Sequence, residues 1–521
     1  MDIKDGILIN KNPVTKKEIS RHKVAGDNEI KNSFVSAYKS QKKWQELKLK
    51  DRLIFLGELQ QNIVDNTEKI IDTVYKDTGK KPQETLTADI LPVLRMLRYY
   101  KKNAAKILKR QKRNTPLLAP GSTSYVEYFP RGIIAIISPW NYPFQLTAIP
   151  AITALTAGNA VVIKPSELTP LTGKLLENIF NSLDSLPENL VNVFQGGGGV
   201  GSKMIENKPD MIFFTGSVET GRKVMKQAAE YTIPVELELG GKDPMLVLKD
   251  ANIERAARAA AYGGFTNAGQ LCVSVERVYV AEEIYENFLD ILADHKDKIR
   301  WNRSDRSGDY GPFIHPQQSK KVRKLVNDAL SRGANLIGDM PSEDQSAYFP
   351  PLILTGVNEE MKIMQEEIFG PVLTLSTFST EEEAINMANS SGFGLNASIF
   401  CSNVNKAKEI ASKLETGNCI INDVLRNVAN PELPFGGVKN SGTGRYHGPE
   451  GLKNFSNTRS IMINKSDNDR ELNWFPFSEG IYQDMEDFIR NFYAEDSIFK
   501  VLTSGFKIMK RFIKTKFFDD K

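Results

Sequence analysis

The sequence predicts an α/β protein with two parallel sheets, each covered by helices, plus small appendages. Three observations carry that expectation. Short apolar runs such as "GIIAIIS" (132–138) and "DPMLVL" (243–248) are followed by turn residues and then helical periodicity, the pattern of strands buried on both faces. Such runs fall in two successive series along the chain. A chain of 521 residues also exceeds what one compact core holds, so two large domains are expected.

From about 28 to 112 apolar residues recur at three and four, which predicts polar-faced helices. "NTPLLAPGSTSYVEYFPRG" breaks that pattern with Pro and Gly and offers a short β segment at "SYVEYF". The first strand series follows: 132–138, 159–166, 189–196, 210–217 and 233–241. The second comprises 243–248, 277–282, 352–357, 371–378, 396–401 and 417–423, with helices between. Between strands 233–241 and 277–282 lies "NIERAARAAAYGGF", a helix capped by Asp250 or Asn252 and expected to break at Gly263-Gly264. Near Lys465 the composition turns acidic and then basic.

Composition excludes several function classes. A net charge of +4 is small for this size and does not indicate a nucleic-acid binder. Three cysteines, Cys272, Cys401 and Cys419, read as free thiols in a reducing, cytoplasmic setting rather than a disulfide framework. The start "MDIKDGILIN" has charges where a signal peptide needs an apolar stretch, and no window of about 18 apolar residues offers a spanning helix. Four histidines without ligand spacing predict no metal site and weaken any Cys–His or Ser–His mechanism, so a base is expected to be a carboxylate.

Five stretches carry chemistry. "SPWNYP" (138–143) ends an apolar strand, where Asn141 is either an amide donor for an oxyanion or a turn residue. "IKPSE" (163–167) places Lys164 and Glu167 on one turn, either against a ribose or as a loop ion pair. "FFTGSVETG" (213–221) is strand, Gly turn and helix, whose first N–H groups suit a pyrophosphate; "GGGGVG" (196–201) is a weaker match. "ELELGGKDP" (236–244) carries two glutamates on one side of a strand, with Glu238 nearer the Gly-Gly break. "NAGQLC" presents Cys272, a nucleophile or a buried apolar thiol when taken alone. Joined to an oxyanion donor, a carboxylate and a dinucleotide cradle, the thiol suits attack on a carbonyl, hydride loss and thioester hydrolysis.

These motifs, with "EEIFGPV" (366–372), "FGLNAS" (393–398) and "PFGGVKNSG" (434–442), occur in the order found in the NAD(P)-dependent aldehyde dehydrogenases, which the chain resembles over residues 30–464. The resemblance implies Cys272 as nucleophile, Glu238 as the base for deacylation, and Asn141 with the Cys272 N–H as oxyanion hole. It implies a cofactor set of Ser138, Trp140, Lys164, Glu167, Gly216, Ser217, Gly221, Leu239, Gly240, Glu367 and Phe369. Glu167 favours NAD, with NADP open. Tyr142, Phe265, Leu271, Val273 and Phe435 are expected along an apolar substrate passage, favouring aliphatic or aromatic aldehydes; Arg277 and Arg426 keep a semialdehyde open. An acyl-transferring member that uses CoA and a non-catalytic scaffold are the other readings.

The resemblance also implies an architecture. A Rossmann-like cofactor domain takes 1–112 and 130–240, and an α/β catalytic domain takes 241–455. A small β appendage (113–129 and 456–464) joins subunits into a homodimer or homotetramer. The family pattern ends near 464, but the chain continues. "SIFKVLTSGFKIMKRFIKTKFF" (497–518) has six Lys or Arg and no acid, with its apolar residues on one helical face. It reads as peripheral contact with the cytoplasmic face of a membrane, or as a helix packed on the enzyme or a partner.

Overall fold

Wholly apolar strands need cover on both faces, and the chain provides it twice. The computed structural model describes residues 2–493 except 117, 118, 120, 302–304, 343–346, 466–468, 470, 472, 473 and 478. They divide into two compact units, the described residues of 1–109 with 127–459 and the described residues of 110–126 with 460–521.

The larger unit holds both main sheets. The first has six strands in the order Gly442–Thr443, Val235–Glu238, Met211–Thr215, Ile133–Ile137, Ala160–Lys164, Val191–Val193. Its last five strands are mutually parallel, and Gly442–Thr443 runs antiparallel along the edge. That edge strand comes from far along the chain, so the segment from Gly442 returns to the first sheet. Ile133–Ile137 and Ala160–Lys164 are buried at every position, which explains their unbroken apolar sequence. Between them the helix Gln145–Ala157 is apolar nearly all round and ends at Gly158, whose φ of 97° suits only glycine without strain. The amphipathic helix Asp27–Glu46 buries Ile30, Phe34 and Trp44; the Trp44 indole N–H donates to the Leu155 carbonyl at 3.0 Å.

The second sheet has seven strands in the order Asn335–Ile337, Leu352–Thr355, Val372–Phe378, Val275–Ala281, Asp243–Val247, Ser398–Phe400, Ile420–Ile421. Only Asn335–Ile337 pairs antiparallel. Successive side chains alternate between two cores: Leu246 and Tyr279 join one, Met245, Val247, Val278 and Val280 the other.

The helix Ile253–Phe265 runs through Gly263 and Gly264 rather than breaking there, with Asn252 as its cap (Oδ1 accepts from the Arg255 N–H at 3.0 Å). The glycines serve packing. A Cβ on Gly263 would overlap Val275, and one on Gly264 would overlap Leu373, so their absence lets the helix lie close to the sheet. The sequence reading also missed an N-terminal antiparallel sheet of Asp2–Lys4, Ile7–Lys11 and Glu18–Lys23, and the edge strand Asn335–Ile337.

The smaller unit is built on the antiparallel pair Gln111–Arg113 and Ser122–Pro130, in a three-stranded sheet with Ser456–Asn464. The acidic helix Ile481–Tyr493 follows; Tyr482 and Tyr493 are exposed. The basic stretch 497–518 lies outside the described residues.

Candidate active site

Four neighbouring parallel strands of the first sheet end on the same side, and each delivers one predicted motif there. Ile133–Ile137 leads to Ser138, Trp140 and Asn141, and Ala160–Lys164 ends at Lys164. Met211–Thr215 leads to Gly216, and Val235–Glu238 ends at the candidate base.

The thiol is presented by a contorted loop between Ile253–Phe265 and Val275–Ala281. Asn267, Ala268 and Gly269 take φ of 53°, 54° and 66°, a left-handed run that costs energy at Ala268 in particular. Gln270 holds the run in place. Its Nε2 donates to the Asn267 carbonyl at 2.8 Å and the Pro312 carbonyl at 3.2 Å, and its Oε1 accepts from the Ile314 N–H at 2.9 Å. The Asn267 amide donates to the Asn141 carbonyl, and the Asn141 amide to the Gln270 carbonyl, both at 3.1 Å. The oxyanion candidate is therefore tied to the loop that carries Cys272. Gly241 closes the other side, where a Cβ would overlap the Cys272 carbonyl oxygen. Cys272 is partly buried. Burial, then the carboxylates of Glu367, Asp243 and Glu238, push its thiol well above the ordinary range.

Glu238 is buried, and neither carboxylate oxygen has a hydrogen-bond partner among the described residues. Burial, reinforced by the charge of Glu236, raises its pKa well above that of a free carboxylate. An unpartnered buried carboxylate is costly, and it is the state expected of a group kept ready to take a proton.

The cofactor candidates form a cradle. Lys164 is buried, donates to the Pro165 and Gly196 carbonyls at 2.9 and 3.2 Å, and pairs with Glu167 at 3.2 Å. Ser217 caps the helix Val218–Ala229, its Oγ accepting from the Thr220 N–H at 3.3 Å, which leaves an N-terminus suited to phosphate. A Cβ on Gly221 would overlap Leu239, and one on Gly240 would overlap the Glu367 carboxylate, so both glycines permit close approaches. Ser138 Oγ and Thr147 Oγ1 share a hydrogen bond of 2.8 Å. Trp140 meets Phe369 edge to face at 5.5 Å.

The loop bearing Glu367 and Phe369 is held by residues the sequence reading did not select. Glu276, buried on Val275–Ala281, accepts from the Ile368 and Phe369 N–H groups at 2.9 Å and pairs with the buried Lys242 at 2.7 Å. Gln318 donates to the Ile368 and Phe369 carbonyls at 2.8 and 3.0 Å. Together they hold Phe369 at φ 54°. The one available signal was a Glu-Arg pair inside a strand otherwise made of apolar and aromatic residues, "VERVYVA".

Not every candidate joins the site. Val273 and Phe435 lie in the core of the first sheet, with Leu271 and Cys272 packed against it. Tyr142 is buried and donates to Glu84 Oε1 at 3.0 Å. Phe265 belongs instead to a core of the second sheet, because its helix turns that face toward Val275 and Val278. Arg277 does not offer a carboxylate site. It is fully buried and spends its guanidinium on the Lys242, Met387 and Ala388 carbonyls at 2.9–3.0 Å. Arg426 is exposed and pairs with Asp423.

Comparison with known proteins agrees with this geometry: the model of the aldehyde dehydrogenase family matches residues 4–461. The chain belongs to the aldehyde dehydrogenase family. It is 42% identical over 516 residues to a 4,4'-diapolycopene aldehyde oxidase of Methylomonas sp, covering 99% of this chain and 95% of that one. It is 34% identical over 408 residues to a 4,4'-diaponeurosporen-aldehyde dehydrogenase of Staphylococcus aureus, covering 78% and 88%. Among solved structures, betaine aldehyde dehydrogenase from Staphylococcus aureus in complex with NAD+ superposes with a TM-score of 0.84 at 30% identity, covering 90% of this chain and 94% of that one. The mixed α/β fold with parallel sheets is that of these aldehyde dehydrogenases, and the chain is an NAD(P)-dependent enzyme of that kind.

Proposed function

We propose that this aldehyde dehydrogenase oxidises an apolar, diapolycopene-type aldehyde to its carboxylic acid with NAD, using Cys272, Asn141 and Glu238. The observation that carries the chemical part is the coupling of the three groups: Asn141 is bonded into the Cys272 loop, and Glu238 is left unpartnered within electrostatic reach of the thiol. Lys164 and Glu167 would hold the adenosine ribose, the start of Val218–Ala229 the pyrophosphate, and Glu367 and Phe369 the nicotinamide end. When bound, the oxidised nicotinamide supplies the hydride acceptor.

The resting thiol is neutral, since burial and nearby carboxylates disfavour the thiolate. Glu238, or a water beside it, takes the proton as sulfur attacks the carbonyl carbon. The second Asn141 amide hydrogen and the Cys272 N–H stabilise the oxyanion. After hydride loss the thioester on Cys272 is attacked by a water whose proton Glu238 accepts. Glu238 supports hydrolysis over transfer to CoA, and the commitment of Arg277 to backbone carbonyls argues against a semialdehyde acid.

The substrate reading rests on the two relatives named for apolar diapolycopene and diaponeurosporen aldehydes and on the absence of a free cation at Arg277. The alignment with the diapolycopene aldehyde oxidase covers nearly the whole chain, so it extends past 461, where the family match stops. That supports a role for 497–518 in placing the enzyme at the cytoplasmic face of an anionic membrane, where such aldehydes dissolve. The same reading includes a homodimer or homotetramer joined through the β appendage. The test is NADH formation with diapolycopene-type, straight-chain and betaine aldehydes, alongside Glu238→Gln. Faster turnover of the apolar aldehydes, and one NADH per site without further turnover in Glu238→Gln, are expected. Preference for betaine aldehyde would refute the substrate class, and normal turnover of Glu238→Gln would refute the base.

A further inference from the structure

An oxyanion hole works only if its donors are fixed before the charge forms, because reorganisation at that moment raises the barrier. The Cys272 N–H is part of the backbone, but the Asn141 amide is only as fixed as the turn that carries it. That turn lies between the strand Ile133–Ile137 and the helix Gln145–Ala157. The helix begins without a cap of its own, since Phe144 has no side-chain acceptor for the first N–H groups. The acceptor comes from Asp89. Its Oδ1 accepts from the Phe144 and Gln145 N–H groups at 3.2 and 3.1 Å. Its Oδ2 pairs with Lys80 Nζ at 2.6 Å, and both side chains are wholly buried. The same ammonium stands 3.6 Å from the centre of the Tyr142 ring, and the Tyr142 hydroxyl donates to Glu84 at 3.0 Å. Tyr142 is therefore held on its face and at its tip, and Asn141 is its neighbour in the chain. The Leu146 N–H bonds the Tyr142 carbonyl at 3.0 Å, so the turn runs directly into the helix.

Folding alone is a poor account of this cluster. A buried ion pair loses to desolvation most of what attraction returns, and apolar side chains of the same volume commonly serve stability as well. What a fully hydrogen-bonded buried network gives is rigidity. Asp89 also lies on a π-helical turn, Thr85–Ile90, between the helices Pro82–Glu84 and Leu91–Ile107. Such turns are rare and recur at functional sites. The same segment reaches the other donor. Gly79, just before Lys80, packs so closely on Pro312 that a Cβ would overlap its ring, and a Cβ on Gly311 would overlap the Gly79 carbonyl. The Pro312 carbonyl in turn accepts from Gln270, whose amide holds the loop that presents Cys272. Residues 79–89 thus touch the supports of both the Asn141 amide and the Cys272 N–H, although none of them falls in a motif that the sequence singled out.

We propose that Asp89, paired with Lys80, is a positioning residue for the oxyanion hole. It holds the start of the helix Gln145–Ala157 and, through Lys80, the Tyr142 ring, so that the second Asn141 amide hydrogen meets the oxyanion formed at Cys272. Asp89 touches no reacting atom, takes no proton and makes no bond to substrate. Its effect falls on the steps in which an oxyanion forms and collapses. This inference rests on Asn141 being the oxyanion donor.

The test is a double-mutant cycle between Asp89→Ala and Asn141→Ala, read as the single-turnover rate of NADH formation normalised to folded enzyme. Enzyme loaded with NAD is mixed with whichever of the diapolycopene-type, straight-chain and betaine aldehydes it turns over fastest. Asp89→Ala should slow NADH formation about tenfold, less than loss of the donor itself, with the Kd for NAD changed by less than about twofold. In the Asn141→Ala background the same substitution should cost less than about twofold, because the group it positions is gone. Lys80→Met with Asp89→Asn removes both charges and keeps an oxygen for the two N–H groups, so it should recover most of the rate. Should Asp89→Ala fail to fold, Lys80→Met with Asp89→Ala, which leaves no unpaired buried charge, replaces it in the cycle. An unchanged rate in Asp89→Ala overturns the proposal. So does an equal loss in both backgrounds, or a matching loss of NAD affinity, either of which marks a merely structural role. A normal rate in Asn141→Ala would instead show that the oxyanion donor was misassigned and would take this inference with it.

Discussion

Asn141 spends one amide hydrogen on the Gln270 carbonyl and, among the described residues, keeps the other. A forming oxyanion beside Cys272 is the acceptor that this second hydrogen suits. Removing one such donor typically costs about 3 kcal/mol of barrier, so Asn141→Ala should lower kcat at least a hundredfold, checked by steady-state NADH formation. Because the same amide also ties down the Cys272 loop, its melting temperature should fall slightly, whereas Cys272→Ala should abolish turnover and leave stability near that of the parent. Cys272, Asn141 and Glu238 could be nominated from sequence because few residue types serve as nucleophile, oxyanion donor and base, and the structure brings Asn141 to the Cys272 loop. Gln270 could not be. Its work is to grip backbone carbonyls of residues distant in the chain, and no local pattern announces that. The same holds for Arg277, whose charge read as a possible substrate contact until its carbonyl partners were seen.

Elements show the same division. The strands of the two parallel series were legible, most clearly Ile133–Ile137 and Ala160–Lys164, where burial at every position goes with a nearly unbroken apolar run. The N-terminal sheet was not, since Glu18–Lys23 is polar and half-exposed and carries no such run. The helix through Gly263 and Gly264 was misjudged because propensity says break where close packing says continue. The Glu367–Phe369 loop leans on the Glu276 carboxylate from one side and the Gln318 amide from the other. Glu276→Ala strips the acceptor from two N–H groups and leaves the buried Lys242 uncompensated. Loss of one partner from such a pair costs about 3–5 kcal/mol. Urea unfolding should show that loss, and cofactor titration should show the KM for NAD rising more than that for aldehyde.

At the scale of the whole molecule, buried acids set how stability responds to pH. Burial pushes Asp77, Glu84 and Glu367 up to about 7 and Glu236 up to about 8. The folded state therefore binds protons that the unfolded chain has released, and stability falls as pH rises from about 4 through these values. Burial of His447 acts oppositely, lowering it to about 3, but that effect ends near 6.5, where the unfolded histidine loses its proton. Between pH 6.5 and 8 only the carboxylates among these groups titrate, so the melting temperature of the cofactor-free enzyme should fall across that window, each proton contributing about 1.4 kcal/mol per pH unit. Calorimetry at matched ionic strength checks the sign. The C-terminal extension makes the other prediction at this scale. The candidate site residues lie within 138–435, in the larger unit, and the basic stretch 497–518 stands apart from them in sequence. Chemistry and delivery should therefore separate. Deleting 497–521 should leave kcat for a short, water-soluble aldehyde unchanged. It should abolish sedimentation with phosphatidylglycerol vesicles and reduce the rate on an apolar aldehyde supplied in those vesicles. Each Lys or Arg near an anionic surface contributes about 1 kcal/mol, so binding should weaken steeply with added salt. A truncated enzyme that still sediments and still turns over the vesicle-borne aldehyde would place membrane contact elsewhere on the protein.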